Sequence, residues 1–489
     1  MKVNPFNFKS PTSFLLPLYF LLPYFAFLKF FSSKISINSS ELFWAVKNSV
    51  LQSTVAGLIC TAFGFWFAFG LLTFPKKIQK VFLKLILIPQ ILPSLFSILI
   101  AFSILNPFPM GHIGVIFIFA LINLGFSTYQ IFVAIQNKLG RMALVSQING
   151  LKKTVFIRKV LLPLLWPDLK LNFFLVFLFC FSSLSIPLVA GGGRGTNLEV
   201  LIFEKIFIDM NWDSAWALML LQTGSVFIFS YLFLKDKVYA FSEFRMHSFY
   251  KSKLGGLGLI VYLLLFLGGY GLSLVTSIAA IDDISLYAAE IWSATKNSLV
   301  LLIFVLLACF SLLILWIADY VQNLKHNVAL NFISVSTVLV GFSFYVWLPQ
   351  GAGYDLWKIP FAFSVLFFPM LFKIFFEKKI SQMRGQILAA KLFGISTRNI
   401  IFEIILNQCA RALFLSVSLL AILSLSDFAI SRALGAQTKT LGLLTENFLS
   451  SYRLDAAYLL SGIILIVWIF LSLFLYQAIK GIYGANKEY

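Results

Sequence analysis

Three observations predict an all-α polytopic membrane protein of about twelve transmembrane helices. Of the 489 residues, 60% are hydrophobic and 12% are charged, whereas a soluble domain is about a quarter charged. Mean hydropathy is +0.92, and apolar runs recur near the roughly 20 residues that a helix needs to cross a bilayer. Short patterns of the first half return in the same order in the second, roughly 240 to 250 residues later.

The expected spans of the first half lie near 12–31, 44–74, 79–105, 112–137, 169–190 and 214–234. Those of the second lie near 255–279, 291–320, 328–348, 359–378, 411–430 and 456–479. Pro89 and Pro93 fall inside the third span and are expected to kink it. The polar stretch 236–254 is the expected linker between a first half, 1–235, and a second half, 255–489. Lys2 and Lys9 precede the first apolar run, which has no small-residue cleavage site after it. That run is therefore expected to be a first span that directs insertion and is not removed.

The net charge is +19. In a soluble protein this balance would suggest nucleic acid, but in a polytopic chain lysine and arginine collect on cytoplasmic loops. Lys76, Lys77, Lys80 and Lys84 share one face with Lys138, Arg141, Lys152, Lys153, Arg158 and Lys159 if spans alternate from a cytoplasmic N-terminus. The linker, the stretch from Lys378 to Arg398 and the C-terminal tail fall on that face too. Glu41, Glu199, Asp209, Asp282, Asp283, Asp355, Glu446 and Asp455 fall on the other. Both termini are accordingly expected in the cytoplasm, with lipid and no nucleic acid as partner.

Catalytic residues and metal ligands are not expected. Cys60, Cys180, Cys309 and Cys409 sit in or beside apolar runs and form no CxxC pair. His112, His247 and His326 are scattered, so no ligand-spaced cluster is visible.

The repeat is clearest where Ala45-Val46-Lys47-Asn48-Ser49-Val50 returns as Ala294-Thr295-Lys296-Asn297-Ser298-Leu299. Cys60 pairs with Cys309, Gly150 with Gly394, Gly191 with Gly435, Thr196 with Thr440, and Asp213-Ser214-Ala215 with Asp455-Ala456-Ala457. With six spans each, the halves insert the same way round. They form two parallel six-helix repeats about an axis normal to the membrane, an arrangement suited to a path that opens alternately to either side.

Two long cytoplasmic loops, 138–168 and 379–410, carry the strongest local pattern. In the first, a short helix from Leu144 through Ser146 ends at Gly150-Leu151, and Val160, Leu162-Pro163 and Pro167 follow. Glycine permits the sharp turn, and proline is tolerated in the first turn of the next helix. In the second, Leu388-Ala389-Ala390 leads to Gly394-Ile395, Ile404 and Leu406. This resembles the Glu-Ala-Ala loop of permease subunits of binding-protein-dependent ABC importers: Glu-Ala-Ala, three residues, Gly, nine residues, Ile, one residue, Leu-Pro. Leu144-Val145-Ser146 and Leu388 replace the acidic start, and Asn407 replaces the final proline.

The resemblance covers nearly the whole chain. It is similar to fused two-half permeases of the thiamine type, with the ferric-iron type next. The stretches that carry the thiamine likeness are Leu423 to Phe428, Thr440-Leu441 with Ser451 to Ala457, and Gly191 to Gly193 with Thr196, Leu198-Glu199 and Asp213 to Ala215. The resemblance implies an ABC type I importer permease fold in a bacterial inner membrane. It implies that each loop is a coupling helix docked on an ATPase, through Ser146, Gly150, Leu151, Leu162 and Pro163, and through Ala389, Ala390, Gly394 and Ile395. No G-x-x-x-x-G-K-[ST] loop occurs, so ATP and Mg would be held by two copies of a partner ATPase. A periplasmic or extracellular solute-binding protein would meet the outer loops 191–213 and 431–455.

Asp427 stands late in an apolar span, where a carboxylate is costly and is either functional or paired. Its counterpart by repeat offset is Ser183. The two are candidate substrate-path residues, and one negative charge would suit a cation. The alternative for Asp427 is a carboxylate bonded to a helix end. For the chain as a whole the alternatives are a ferric-iron importer and an ion-coupled secondary transporter. The latter would need several interacting intramembrane ionisable residues.

Overall fold

A computed structural model describes residues 11–25, 37–91, 94–150, 152–233, 252–280, 285–324, 336–349, 351–451 and 453–482. The linker lies outside these apart from its last residues, as do Leu151 and Pro93. All regular structure among the described residues is helical. Among the described residues six helices are long and apolar enough to cross a membrane, or up to eight if two sharply bent pairs each count as one span. The helices Thr337–Trp347 and Ala412–Ser426 are apolar but shorter. The expected twelve is therefore not reached on length and composition alone. Thr337–Trp347 has 11 residues and Pro11–Phe25 has 15, against the roughly 20 that a 30 Å core requires.

The chain divides into two compact units, residues 35–280 and residues 1–34 with 281–489. These boundaries are not those of the sequence halves. The first helix of each half packs in the unit built from the other half.

In the unit 35–280, the helix Ser39–Leu71 packs against both His112–Ile148 and Leu162–Phe181. Asn38 caps it, its Oδ1 accepting from the Ser40 amide at 3.1 Å. Small residues let the backbones approach, as in membrane bundles generally. A Cβ added to Gly64 would stand 2.9 Å from the Ser127 Cβ. A Cβ on Gly70 would overlap the Gly255 backbone. That contact brings in Lys253–Leu263, which Ser252 caps by accepting from the Gly255 amide at 3.1 Å. Tyr262 Oη, on the same helix, donates to the Leu121 carbonyl at 2.9 Å.

The expected third span of this half is not one helix. Lys76–Leu85 is separate from Ser94–Ile104, and the segment Lys76–Gln90 runs at 100° to Ser94–Ile104. Pro89 lies beside this break.

In the unit containing 281–489, Trp316 on the helix Ser285–Asn323 is fully buried among Phe20, Phe368 and Phe372. Phe20 belongs to the helix Pro11–Phe25. Its neighbour Tyr19 hydrogen-bonds Ser364 Oγ at 2.5 Å, and Ser343 Oγ donates to the Pro23 carbonyl at 2.7 Å. Aromatic packing and these two hydroxyls hold the first helix in this unit. The helix Ala352–Leu371 runs into a π-helical turn, Phe372–Glu377, where the chain direction bends by 51°. Leu454–Ile482 is fastened to Ala410–Ser426 by Trp468 Nε1, which donates to the Ser418 carbonyl at 3.0 Å.

The glycine contact gives a direct test. Gly255→Val places a branched side chain against the Gly70 backbone and is expected to cost about 1–3 kcal/mol by overpacking. Gly271→Val, where a Cβ meets nothing within 4 Å, is the control. Thermal unfolding of the two purified variants in detergent checks this: the first midpoint falls and the second stays near the parent value.

Candidate functional site

Three kinds of place in the fold carry the candidate residues: two glycine-ended tips, two loops with capped helices, and a helix break in each unit.

The first tip closes the helix His112–Ile148. It has 37 residues, about 55 Å at 1.5 Å per residue, which exceeds a 30 Å hydrocarbon core. The expected short helix from Leu144 is thus the end of one continuous helix. Ser146 is buried, while Ile148 is 84% exposed and Val145 is also exposed. The Asn149 amide donates to the Val145 carbonyl at 3.1 Å, and Gly150 follows at φ +63° with no atom within 4 Å of an added Cβ. That φ is the left-handed region that glycine supplies at least cost. Beyond it the chain passes through a π-helical turn, Ile157–Leu161, into Leu162–Phe181. Leu162 is half-buried and Pro163 is exposed in the first turn. The Leu162 amide reaches back to the Ile157 carbonyl, the wider bonding of a π turn. Leu151 lies outside the described residues.

The second tip is a separate helix, Arg384–Leu392. Met383, Ile387 and Ala390 form its buried stripe, at the spacing of one helix face. Ala389 and Leu388 are exposed, and beyond them Leu392 and Phe393 are 88% and 85% exposed. Gly394 sits at φ +73°; its amide donates to the Lys391 carbonyl and the Ile395 amide to the Ala390 carbonyl, both at 3.0 Å. These two bonds are a Schellman cap, which satisfies the helix's last carbonyls. Ile395 is itself exposed. Two side-chain bonds seat the helix: Gln408 Nε2 to Gln386 Oε1 at 2.9 Å, and Lys391 Nζ to the Gln322 carbonyl at 3.3 Å. A second π-helical turn, Ile400–Leu406, leads out of this tip, so the construction matches the first even though Asn407 replaces the proline.

The outer loops contain short capped helices, Leu198–Phe207 and Leu441–Ser450. Asn197 Oδ1 accepts from the Val200 amide at 2.9 Å, and Thr440 Oγ1 from the Leu443 amide at 3.2 Å. Each loop is held by the repeated asparagine–serine pair. Asn48 Nδ2 donates to the Thr196 carbonyl at 2.9 Å, and Asn297 Nδ2 to the Lys439 carbonyl at 3.0 Å. Ser49 Oγ accepts from the Leu198 amide at 2.7 Å, and Ser298 Oγ from the Leu441 amide at 2.8 Å. These bonds move the loop register by one residue from the sequence alignment: Asn197, not Thr196, is the counterpart of Thr440. Gly192 at φ +52°, not Gly191, matches Gly435 at φ +60°.

Each loop has a further anchor of its own. Gln52 Nε2 donates to the Gly195 carbonyl at 3.0 Å in one unit. In the other, the buried Asp355 carboxylate accepts from the Gln437 amide at 2.8 Å and from the Thr438 amide and hydroxyl at 2.9 Å. Lys205 bridges Glu41 at 2.9 Å and Asp209 at 2.7 Å. Its hydrogen bonds, first to Asp209 and then to Glu41, hold that ammonium above the usual lysine value. None of the asparagine–serine anchors was a sequence candidate for function. The signal was present, because they lie in the clearest repeated pattern.

Asp427 lies at the break between Ala410–Ser426 and Ala429–Ala433. Its carboxylate accepts from the Ile430 amide at 3.1 Å and the Ser431 amide at 3.2 Å. It is a helix-end acceptor. Ser183 lies at the break before Ser185–Ala190, and its carbonyl accepts from Asn197 Nδ2 at 2.8 Å. The two candidates occupy corresponding breaks, each in its own unit.

Two outcomes follow. Asp355→Ala removes the shared acceptor of three donors and is expected to cost about 2–4 kcal/mol; thermal unfolding reads the loss, and amide exchange at Gln437 and Thr438 accelerates. Gly394→Ala forces a Cβ into the left-handed region without a clash, at about 1 kcal/mol. Amide exchange at Ile395 rises in that variant, while exchange in Leu454–Ile482 is unchanged.

No protein-family model matches the chain, and no curated protein matches it.

Proposed function

We propose that this chain is the fused permease subunit of a binding-protein-dependent ABC importer, built as two parallel six-span repeats. The observation that carries the reading is the pair of tips. Each half has an apolar, solvent-exposed segment ended by a left-handed glycine and followed by a π-helical turn into an apolar helix. Large apolar side chains grouped at a helix end, with Lys391, Arg384 and Arg398 around them in the second tip, favour a protein partner that covers them. Two such ends suit two copies of an ATPase. The repeated loop anchors support the parallel repeat.

In this reading the tips and both termini lie in the cytoplasm of a bacterium, beneath its inner membrane. The ATPase holds ATP and Mg and supplies the energy. The outer loops 191–213 and 431–455 receive a solute-binding protein, and their capped helices and side-chain anchors give it a fixed surface. The cargo is a small solute, with thiamine or thiamine phosphates favoured on the sequence resemblance and ferric iron as the alternative. Asp427 supplies little support for either, because its oxygens already serve backbone amides.

Co-purification with the ATPase tests the reading. Leu392→Glu with Phe393→Glu is expected to weaken the complex about tenfold or more, since buried anchors dominate interfaces. Replacement of Gly150 and Gly394 by bulky residues should do the same through the tip conformation. A complex indifferent to all four changes refutes the docking assignment. Uptake into vesicles that persists without ATP refutes the importer class in favour of ion coupling.

A further inference from the structure

The helix Lys76–Leu85 takes no part in the tips, loops or breaks. It has ten residues, none of them buried and none acidic. At 100° per residue Lys76, Lys77, Lys80 and Lys84 fall within an arc of about 100°, and Ile78, Val81, Phe82 and Leu85 fill a separate arc of similar width. All four lysines are exposed, and among the described residues none is ion-paired. On the apolar arc Ile78 is 41% and Val81 53% exposed.

The helix is fixed at both ends. Phe82 meets Phe74 edge-on at 4.8 Å, and Gln79 Nε2 donates to the Phe74 carbonyl at 2.8 Å. At the far end Ile86 is fully buried, with its carbonyl against Gly125 on the helix His112–Ile148. The segment Lys76–Gln90, which this helix opens, runs at 100° to the apolar helix Ser94–Ile104. If Ser94–Ile104 crosses the bilayer, that segment lies along the bilayer plane.

We propose that Lys76–Leu85 is an interfacial helix that binds anionic phospholipid headgroups. Its lysines meet the phosphates, and the Ile78–Val81–Leu85 arc enters the acyl boundary. The two exposed arcs need two different surroundings at once, and a headgroup–acyl boundary supplies both. An acidic protein would cover the lysines and leave the apolar arc in water. In the orientation proposed above this is the cytoplasmic leaflet, but lipid binding does not depend on that assignment or on the ATPase.

The full chain in detergent, titrated with phosphatidylglycerol or phosphatidylcholine and read by native mass spectrometry, tests the proposal. Phosphatidylglycerol is expected to be retained in preference, with about fivefold in retention for each lysine. The preference is lost when all four lysines become glutamine and kept when they become arginine. A second reading uses depth. The native cysteines are buried, so a spin label at Val81→Cys or Lys80→Cys reports on that site. In phosphatidylglycerol-containing nanodiscs the Val81→Cys label should meet a lipid-soluble quencher and the Lys80→Cys label a water-soluble one. Equal retention of the two lipids, a preference that survives the glutamine variant, or a Val81→Cys label open to water overturns the proposal. So does loss of ATPase binding in the glutamine variant with lipid retention unchanged, which would assign the face to a protein.

Discussion

The rest of this structure depends on one constraint: a backbone amide or carbonyl removed from water must find a partner within the protein. An unbroken helix meets it without help. This chain breaks its helices at 182–184 and 427–428 and then folds short helices into the outer loops. Every such departure exposes amides that need acceptors. The acceptors come from side chains: Asp427 for Ile430 and Ser431, Ser49 for Leu198, Ser298 for Leu441, Asn197 and Thr440 for their own helices. The polar side chains named here thus serve the amides that the breaks and loop helices leave open.

The tips satisfy the same constraint with the opposite surface. At Arg384–Leu392 the last carbonyls are closed by the Schellman bonds to Gly394 and Ile395, so the backbone needs nothing further. What stays open is apolar: Leu392, Phe393 and Ile395. The outer loops spend polar side chains to become rigid. The second tip closes through its own backbone and leaves its apolar side chains exposed.

Membrane character and the special conformation of Gly150 and Gly394 were legible in the sequence, because composition and turn chemistry are local. The break near Pro89 was legible for the same reason. The partition of the chain was not. Hydropathy says that Pro11–Phe25 and Lys253–Ala280 are apolar, but their partners depend on Phe20 meeting Trp316 and on Gly70 meeting Gly255. Those contacts join residues 296 and 185 positions apart. The loop register slipped by one for a related reason: Thr196 and Thr440 share an identity, whereas Asn197 and Thr440 share a job. Capping accepts either side chain, so residue matching favoured the wrong pair. Lys76–Leu85 was absorbed into a span because its apolar residues extend the run that follows, and only the bend separates them.

The break at Asp427 bears on how a cargo would be recognised. A lone carboxylate in an apolar span invites the inference that it attracts a cation. Here its oxygens accept from the amides that open a helix, which carry partial positive charge. A passing cation would have to compete with those amides. The corresponding break at Ser183 is satisfied by a neutral amide, Asn197 Nδ2, donating to a carbonyl. The two breaks thus need opposite partners, an acceptor for helix-opening amides at Asp427 and a donor for a backbone carbonyl at Ser183.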